Sequence, residues 1–502
     1  MLIDFRPHAR LRGSNPVDFA ASVNPVLDAL AEAESPADLG GVRVVCDWVQ
    51  YKENFRDIVE VRPVLPGPPR EDRPPAPPGG PPAPAGTPAY SLEVAVDIRR
   101  SATVPLRELA LARLRMTEPG RVYLERWGPG RQSCIWEFNS LYWTALEQWE
   151  KATGHGYEQA LPGGESDARN HAAARDLIAG LFALWDPLAA AGALPEELYV
   201  AEFGVGNGGQ AKVFLDEFRA LDRAHGGGYY RRLHYLMCDY SSYVLDLARE
   251  AVTEHVRHVS SVSLDATRPG TSLGFLRGKT FLLYISNVYD NLPTDEVAHL
   301  GGRPYHVQTR AYFPPDAAVD LAASVSATPD ELPGLVRKLL RLGPALLADV
   351  AADQVGDVDG AVRFWRRAWS ALRLEERYVP LTGLDTYRLA AGVNGEVLRP
   401  LLESGADIRL HVSNGAVASF TDSLELLHPL GKLVCHDIFV TDAAGYRSGF
   451  RGPGKYDGSV VNWVNGPLLA HVGRRLGFDV GYEPFRHRHG GKIVTMTAQA
   501  RD

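Results

Sequence analysis

The chain has 502 residues, 45% of them apolar and 23% charged, enough for two or more domains around a large core. A formal net charge of −8 provides no overall basic field to hold nucleic acid by counterion release, so no nucleic-acid partner is expected. Cys46, Cys134, Cys238 and Cys435 stand far apart without a CxxC pair, which argues against a disulfide framework and a cysteine zinc site and fits a reducing compartment.

The first residues, MLIDFRPHARLRG, lack a continuous apolar stretch, and no later segment approaches the roughly 20 apolar residues of a membrane span. The expectation is a cytoplasmic protein with no membrane partner. A helical pattern (Phe19, Val23, Val26, Leu27, Leu30) leads into two β-rich runs, Val42–Val49 and Ile58–Val64, read as a hairpin. The Pro-rich stretch 66–88 has few ladder donors and little to bury, so it reads as a spacer loop, with an SH3-type ligand as the rival. Leu92–Ile98, a helix near Leu106–Met116, and two strand-like runs, Val122–Trp127 and Cys134–Phe138, complete an α+β module over residues 1–140 that holds no cofactor motif.

From residue 141 the pattern is helical, through Leu141, Trp143, Leu146 and Trp149 and again over Ala172–Trp185. The polar loop between them, GYEQALPGGESDARNH, carries Arg169, a cation available to a carboxylate or simply solvated. Then comes LYVAEFGVGNGGQ, Leu198 to Gln210: a buried strand, a glycine loop and the immediate start of a helix (Ala211, Phe214, Phe218, Leu221). Glycines there let the backbone turn tightly and approach a ligand, with helix N–H groups facing it. Leu233–Met237 is a second strand ending in Cys238-Asp239, with Ser241 as the cap of the next helix. Val259–Leu264 ends in Asp265-Ala266, and Thr280–Ile285 ends in Ser286-Asn287-Val288-Tyr289-Asp290. Strands alternating with helices predict a parallel, doubly wound sheet, whose ligands sit outside the strands' carboxyl ends.

Between 301 and 400 the rhythm breaks. Tyr305–Phe313 reads as an edge strand and Gly360–Arg373 as an amphipathic helix, whose arginines either meet an acidic partner or are solvated; the segment reads as an inserted cap. From 401 the α/β rhythm returns with Ile408–Val412, a helix over Ala416–Leu427 and the strand Lys432–Val440, then a helix at Val464–Leu476 and a closing hairpin. The sheet domain is therefore expected in two parts, 141–300 and 401–502. His487 and His489, in that hairpin's turn, are poor metal ligands, and no metal is expected.

The loop satisfies GxGxxG through Gly204, Gly206 and Gly209, so a dinucleotide is one reading. Glu202, just before the glycines, would oppose a pyrophosphate and suit an ammonium group. Asp265 is placed to accept from an adenine amino group, and Asn287 ends the fourth strand. This ordered set resembles the class I S-adenosylmethionine-dependent methyltransferases, a family with a seven-stranded Rossmann-like sheet. The resemblance implies S-adenosylmethionine as cofactor. Glu202, Gly204, Gly206, Asn207 and Gly208 would hold its methionine end, Asp239 with Tyr240 the ribose side, Asp265 with Ala266 the adenine, and Ser286 and Arg169 would complete the pocket.

Within that class the chain resembles the MidA-like methyltransferases, relatives of the protein arginine methyltransferases. SNVYDNLP stands where that family has Asn-Glu…Asp-Ala-Leu-Pro, and HVSNGAVASFTDSLELLHPLGKLVCHDIF resembles its helix and following strand. Asn287 replaces the glutamate, and a neutral amide cannot pair bidentately with a guanidinium. The implied reaction is methyl transfer to nitrogen or oxygen of a protein, peptide or natural-product acceptor. Asn287 would orient that acceptor, Asp290 would act as base or cation partner unless it caps the next helix, and Tyr289 would line the pocket or pack. His436-Asp437 half-matches the family's Asp-Tyr-Gly turn and reads as structural. Two rivals remain: a cofactor-binding assembly protein without turnover, and an NAD(P)-dependent oxidoreductase.

Overall fold

The computed structural model describes residues 1–5, 19–33, 38–49, 51, 53–67, 89–115, 120–154, 156–157, 170–403, 407–447, 452–487 and 491–501. Arg169 and most of the Pro-rich stretch lie outside the described residues.

Seven strands make the central sheet: β1 Leu198–Phe203, β2 Leu233–Asp239, β3 Val259–Ser263, β4 Thr280–Ser286, β5 Leu427–Asp437, β6 Phe478–Pro484 and β7 Val494–Ala500. Their spatial order is β6-β7-β5-β4-β1-β2-β3. The run from β5 to β3 is parallel, and β7 lies antiparallel to both β5 and β6. This is the expected Rossmann-like, mostly parallel α/β sheet. Successive residues on a strand face opposite sides, so one run serves two cores. Val200 and Leu282 pack under the helices His171–Ala190 and Gly209–His225 with Trp185 and Phe218. Their neighbours Ala201 and Leu283 pack on the other side against Phe420 and Leu469 of the helices Asn414–Leu424 and Gly466–Arg475. Trp185, fully buried, meets Phe281 edge-on at 5.6 Å. Burying each such side chain contributes about 1.5–3 kcal/mol.

A second, antiparallel sheet places Arg373–Pro380, Arg303–Phe313, Glu296–Leu300 and Ile408–His411 side by side. Arg303–Phe313 is therefore an interior strand, where an edge strand was expected. Its partners come from distant parts of the chain, which local pattern does not display. Ile408–His411 joins this sheet and does not return to the central one. Buried Arg409 supplies a reason: its guanidinium pairs with Glu376 (2.7 Å) and with Glu296, both on this sheet, and a buried charge must be paired. The helix Val358–Ala371 covers one side with Phe364, Trp365 and Trp369, capped by Asp357, which accepts from the Gly360 N–H at 2.8 Å.

The N-terminal sheet has the order Leu2–Phe5, Val42–Asp47, Leu92–Asp97, Val59–Pro63. The expected hairpin does not form, because Leu92–Asp97 lies between the two runs, parallel to one and antiparallel to the other. Every residue of Val42–Asp47 is buried, so that strand requires neighbours on both edges. Cys134–Phe138 is also not a strand; it opens the helix Ile135–Thr144. Glu125 holds that helix start by accepting from the Ser133 hydroxyl (2.8 Å) and the Cys134 N–H (2.7 Å). The four cysteines are buried and unpaired, and among the described residues no helix is long and apolar enough to cross a membrane.

Candidate functional site at the carboxyl edge of the central sheet

The loop between β1 and the helix Gly209–His225 has three left-handed glycines, each required for a different reason: Gly204 (φ 72°), Gly206 (φ 55°) and Gly208 (φ 79°). A Cβ on Gly204 would come within 2.5 Å of Val288 Cγ2, and one on Gly208 within 2.7 Å of the Ala248 Cα. On Gly206 it would stand 2.5 Å from the Tyr157 hydroxyl. These approaches close the loop against its neighbours and keep backbone at the surface. Asn207 serves the loop itself, its side-chain oxygen accepting from the Gly209 N–H at 3.0 Å.

Asp239 ends β2 and is tied to the same loop. Its Oδ2 accepts from the Gly206 N–H at 3.3 Å and its Oδ1 from the Ser241 N–H at 3.1 Å. Burial pushes this carboxyl up to about 6 against the pull of those N–H groups. Beside it Tyr240 is exposed. Glu202 is 1% exposed and accepts the Tyr235 hydroxyl at 2.7 Å. Burial, aided by the charge of Asp239 and opposed by the Tyr235 bond, moves it up to about 8. It lies beneath the loop, where only a strong cation would keep it ionised. Asp265 stands two residues beyond β3 and is exposed, with Oδ1 engaged by the N–H (2.9 Å) and hydroxyl (2.7 Å) of Thr267; Ala266 beside it is half-buried.

At the end of β4, half-buried Ser286 leads into Asn287, whose backbone is left-handed (φ 51°). Few non-glycine residues accept that conformation, and it is held here because the Asn287 N–H donates to the His436 carbonyl at 2.9 Å. The Asn287 side-chain amide makes no hydrogen bond among the described residues. Asp437, at the end of β5, fixes the following turn by accepting from the N–H groups of Tyr289 (2.8 Å), Asp290 (3.3 Å) and Ile438 (2.7 Å). Burial raises it to about 6.

Two expectations change at this turn. Tyr289 is 2% exposed in the apolar core beneath the edge and lines no open pocket, because the Asp437 clamp turns it inward. Asp290 is buried next to Asp437, and burial followed by its neighbour's charge lifts its carboxyl well above the usual range. Burial thus favours its neutral form and works against the base role expected of it, while its Oδ1 accepts from the Asn291 side-chain amide at 2.7 Å. His436, buried against Phe485 and bonded to Thr495 Oγ1 at 3.0 Å, is pushed down to about 4 by burial and by His487, so it is neutral and structural.

Two contributors escaped the sequence reading. Tyr157 is held by its N–H on Glu150 (2.8 Å) and edge-on against Trp143 (5.7 Å), which sets its hydroxyl over Gly206. It sits alone in a polar loop, so no periodicity marks it. Gln210, in the first turn after the loop, is 4% exposed with a side-chain oxygen that lacks a partner. Its place immediately after the glycines was the available signal.

No family model and no curated protein matches the chain. Among solved structures it is similar to a candidate methyl transferase from Burkholderia thailandensis bound to S-adenosyl-homocysteine, at 14% identity over 75% of this chain and 88% of that one, with a TM-score of 0.42. It is also similar to the DszA carbon methyltransferase (12% identity, 80% and 71% covered, TM-score 0.32). The [4+2]-cyclase SpnF gives 11% identity, 74% and 97% coverage and a TM-score of 0.30. Likenesses of this degree decide neither ligand nor reaction, which rest on the residues themselves.

Proposed function

We propose that this chain is an S-adenosylmethionine-dependent methyltransferase acting on nitrogen or oxygen of a protein, peptide or small-molecule acceptor, with its nearest kin in the MidA-like family. One observation carries the reading: the Asp239 carboxylate is tied to Gly206 of a three-glycine loop at the carboxyl edge of the sheet. That arrangement leaves each Asp239 oxygen a further lone pair for ribose hydroxyls. The Gln210 oxygen, without a partner among the described residues, fits a polar, close-lying ligand. Glu202 suits an ammonium group, which would draw off its proton.

The cofactor supplies an already activated methyl group. What the chain supplies is position: the Asn287 amide, without a hydrogen bond among the described residues, orients an acceptor at the end of β4. With both carboxyls of this turn, Asp290 and Asp437, raised by burial, the acceptor that asks least of the site is a neutral amine or an acid already ionised at neutral pH. The second sheet and the N-terminal module would then recognise the rest of it.

The antiparallel β7 between β5 and β6 favours this reading over the dinucleotide one by fold analogy, since a dinucleotide sheet runs 3-2-1-4-5-6. The Asp290 carboxyl, raised by burial, also leaves an assembly protein without turnover as a second reading. Release of S-adenosylhomocysteine from labelled cofactor, in the presence of fractionated cell extract, tests turnover. Tight cofactor binding with no release from any fraction would select the assembly role.

A further inference from the structure

A cavity of about 720 Å³ is lined by Tyr240, the residue after β2, and by Pro293, beyond β4. Both follow strands at the carboxyl edge of the central sheet, so the cavity reaches that edge. No residue from Gly204 to Gly208 lines it. Its size is that of a small-molecule site. One wall is formed by the helix Ile135–Thr144, with Trp136 and Ser140, and by the next helix, Leu146–Thr153, with Gln148. The other is the helix Leu332–Val350 at its break, where Gly343 has φ 75° and ψ 168° and Pro344 follows.

That break has a chemical consequence. Proline has no N–H, so the carbonyl of the lining residue Leu340 lacks its i+4 helical donor. Across from it the Gln148 side-chain oxygen is buried without a partner. The rim carries Arg341, exposed and in no ion pair among the described residues. Arg131, also lining, is neutralised by Asp295 at 2.8 Å. Glu137 is the one lining carboxylate; it is exposed, and burial with the charge of Glu125 raises it. An unpaired cation, the acceptors of Gln148 and Leu340, and the apolar faces of Trp136, Pro344 and Tyr240 define one kind of occupant.

The geometry points to a binding site for a small acid that carries an apolar ring or chain and a hydroxyl or amino donor. The anion meets Arg341, the donor meets the Leu340 carbonyl or Gln148, and the apolar part lies on Trp136. Its assignment as the acceptor's seat rests on the methyltransferase reading; the binding itself does not.

The test uses the full chain and 8-anilinonaphthalene-1-sulfonate, an aromatic anion whose fluorescence rises on burial. Wild-type protein and the distant control Arg249→Glu should show saturable, single-site enhancement. Arg341→Glu and the cavity-filling Ser140→Trp should each weaken it by about tenfold or more while leaving the melting temperature and the calorimetric affinity for S-adenosylmethionine unchanged. Thr144→Trp serves as a second filling variant should Ser140→Trp unfold. Equal probe affinity in wild type and both variants, or no saturable site in wild type, overturns the inference. A wild type that binds the probe as expected but not S-adenosylmethionine overturns the methyltransferase reading and leaves the cavity's assignment standing.

Discussion

Asp437 accepts a hydrogen bond from the Asp290 N–H at 3.3 Å, and its charge adds to burial in raising the Asp290 carboxyl. The side chain that ends β5 thus sets both the shape and the ionisation of the turn that ends β4. Replacing Asp437 with alanine removes the carboxylate that accepts from three N–H groups in a fully buried place and should lower stability by about 2–4 kcal/mol in urea unfolding. An unchanged midpoint would show that the turn holds itself.

Asn287 gives the converse case. Glycine relieves a left-handed backbone, so Asn287→Gly should preserve or raise stability by up to about 1 kcal/mol. Turnover should nevertheless fall by about tenfold or more, because the orienting amide is gone. Retained turnover would remove Asn287 from the acceptor site.

The glycine loop, Asp239 and Asn287 were legible in the sequence because strand, loop and helix follow one another within a few residues and glycine punctuates them. The second sheet was not. Arg303–Phe313 draws its partner Arg373–Pro380 from beyond four helices, and the Arg409 pairing with Glu296 and Glu376 has no local signature. Val42–Asp47 and Val59–Pro63 were read as adjacent because the strand that separates them, Leu92–Asp97, follows the Pro-rich insertion. Cys134–Phe138 has strand-like composition, and Glu125, from outside the segment, holds the start of the helix it opens. Ionisation was the least visible property: whether Asp290 is a base depends on burial beside Asp437.

Glu202 should make stability depend on pH. Its folded value of about 8 is raised above the ordinary 4.5, so the stabilisation is complete below 4.5 and is lost as pH rises through 8. Calorimetric melting of wild type should therefore fall between pH 5 and pH 9, and Glu202→Gln, which can still accept from Tyr235, should flatten the fall by on the order of 2–4 kcal/mol. Parallel curves for the two proteins would place the titration elsewhere. Binding of an ammonium-bearing ligand at pH 7 should release about one proton, read from the dependence of binding heat on buffer ionisation.

Gly206→Ala forces a Cβ against the Tyr157 hydroxyl and strains a left-handed backbone. Stability should drop by about 1–3 kcal/mol, and cofactor affinity should drop with it. Adding Tyr157→Phe should recover part of the stability, since the clashing atom is removed. No recovery would mean that Tyr157 does not rest on the loop.

The central claim is that the edge held together by Gly206 and Asp239 receives S-adenosylmethionine. Titration calorimetry of the purified chain with S-adenosylmethionine, and separately with NADH and NADPH, tests it most directly. The account predicts saturable binding of S-adenosylmethionine alone, weakened by about 1–3 kcal/mol in Asp239→Ala. Tight binding of a nicotinamide dinucleotide with none of S-adenosylmethionine, or an Asp239→Ala affinity equal to wild type, would contradict it.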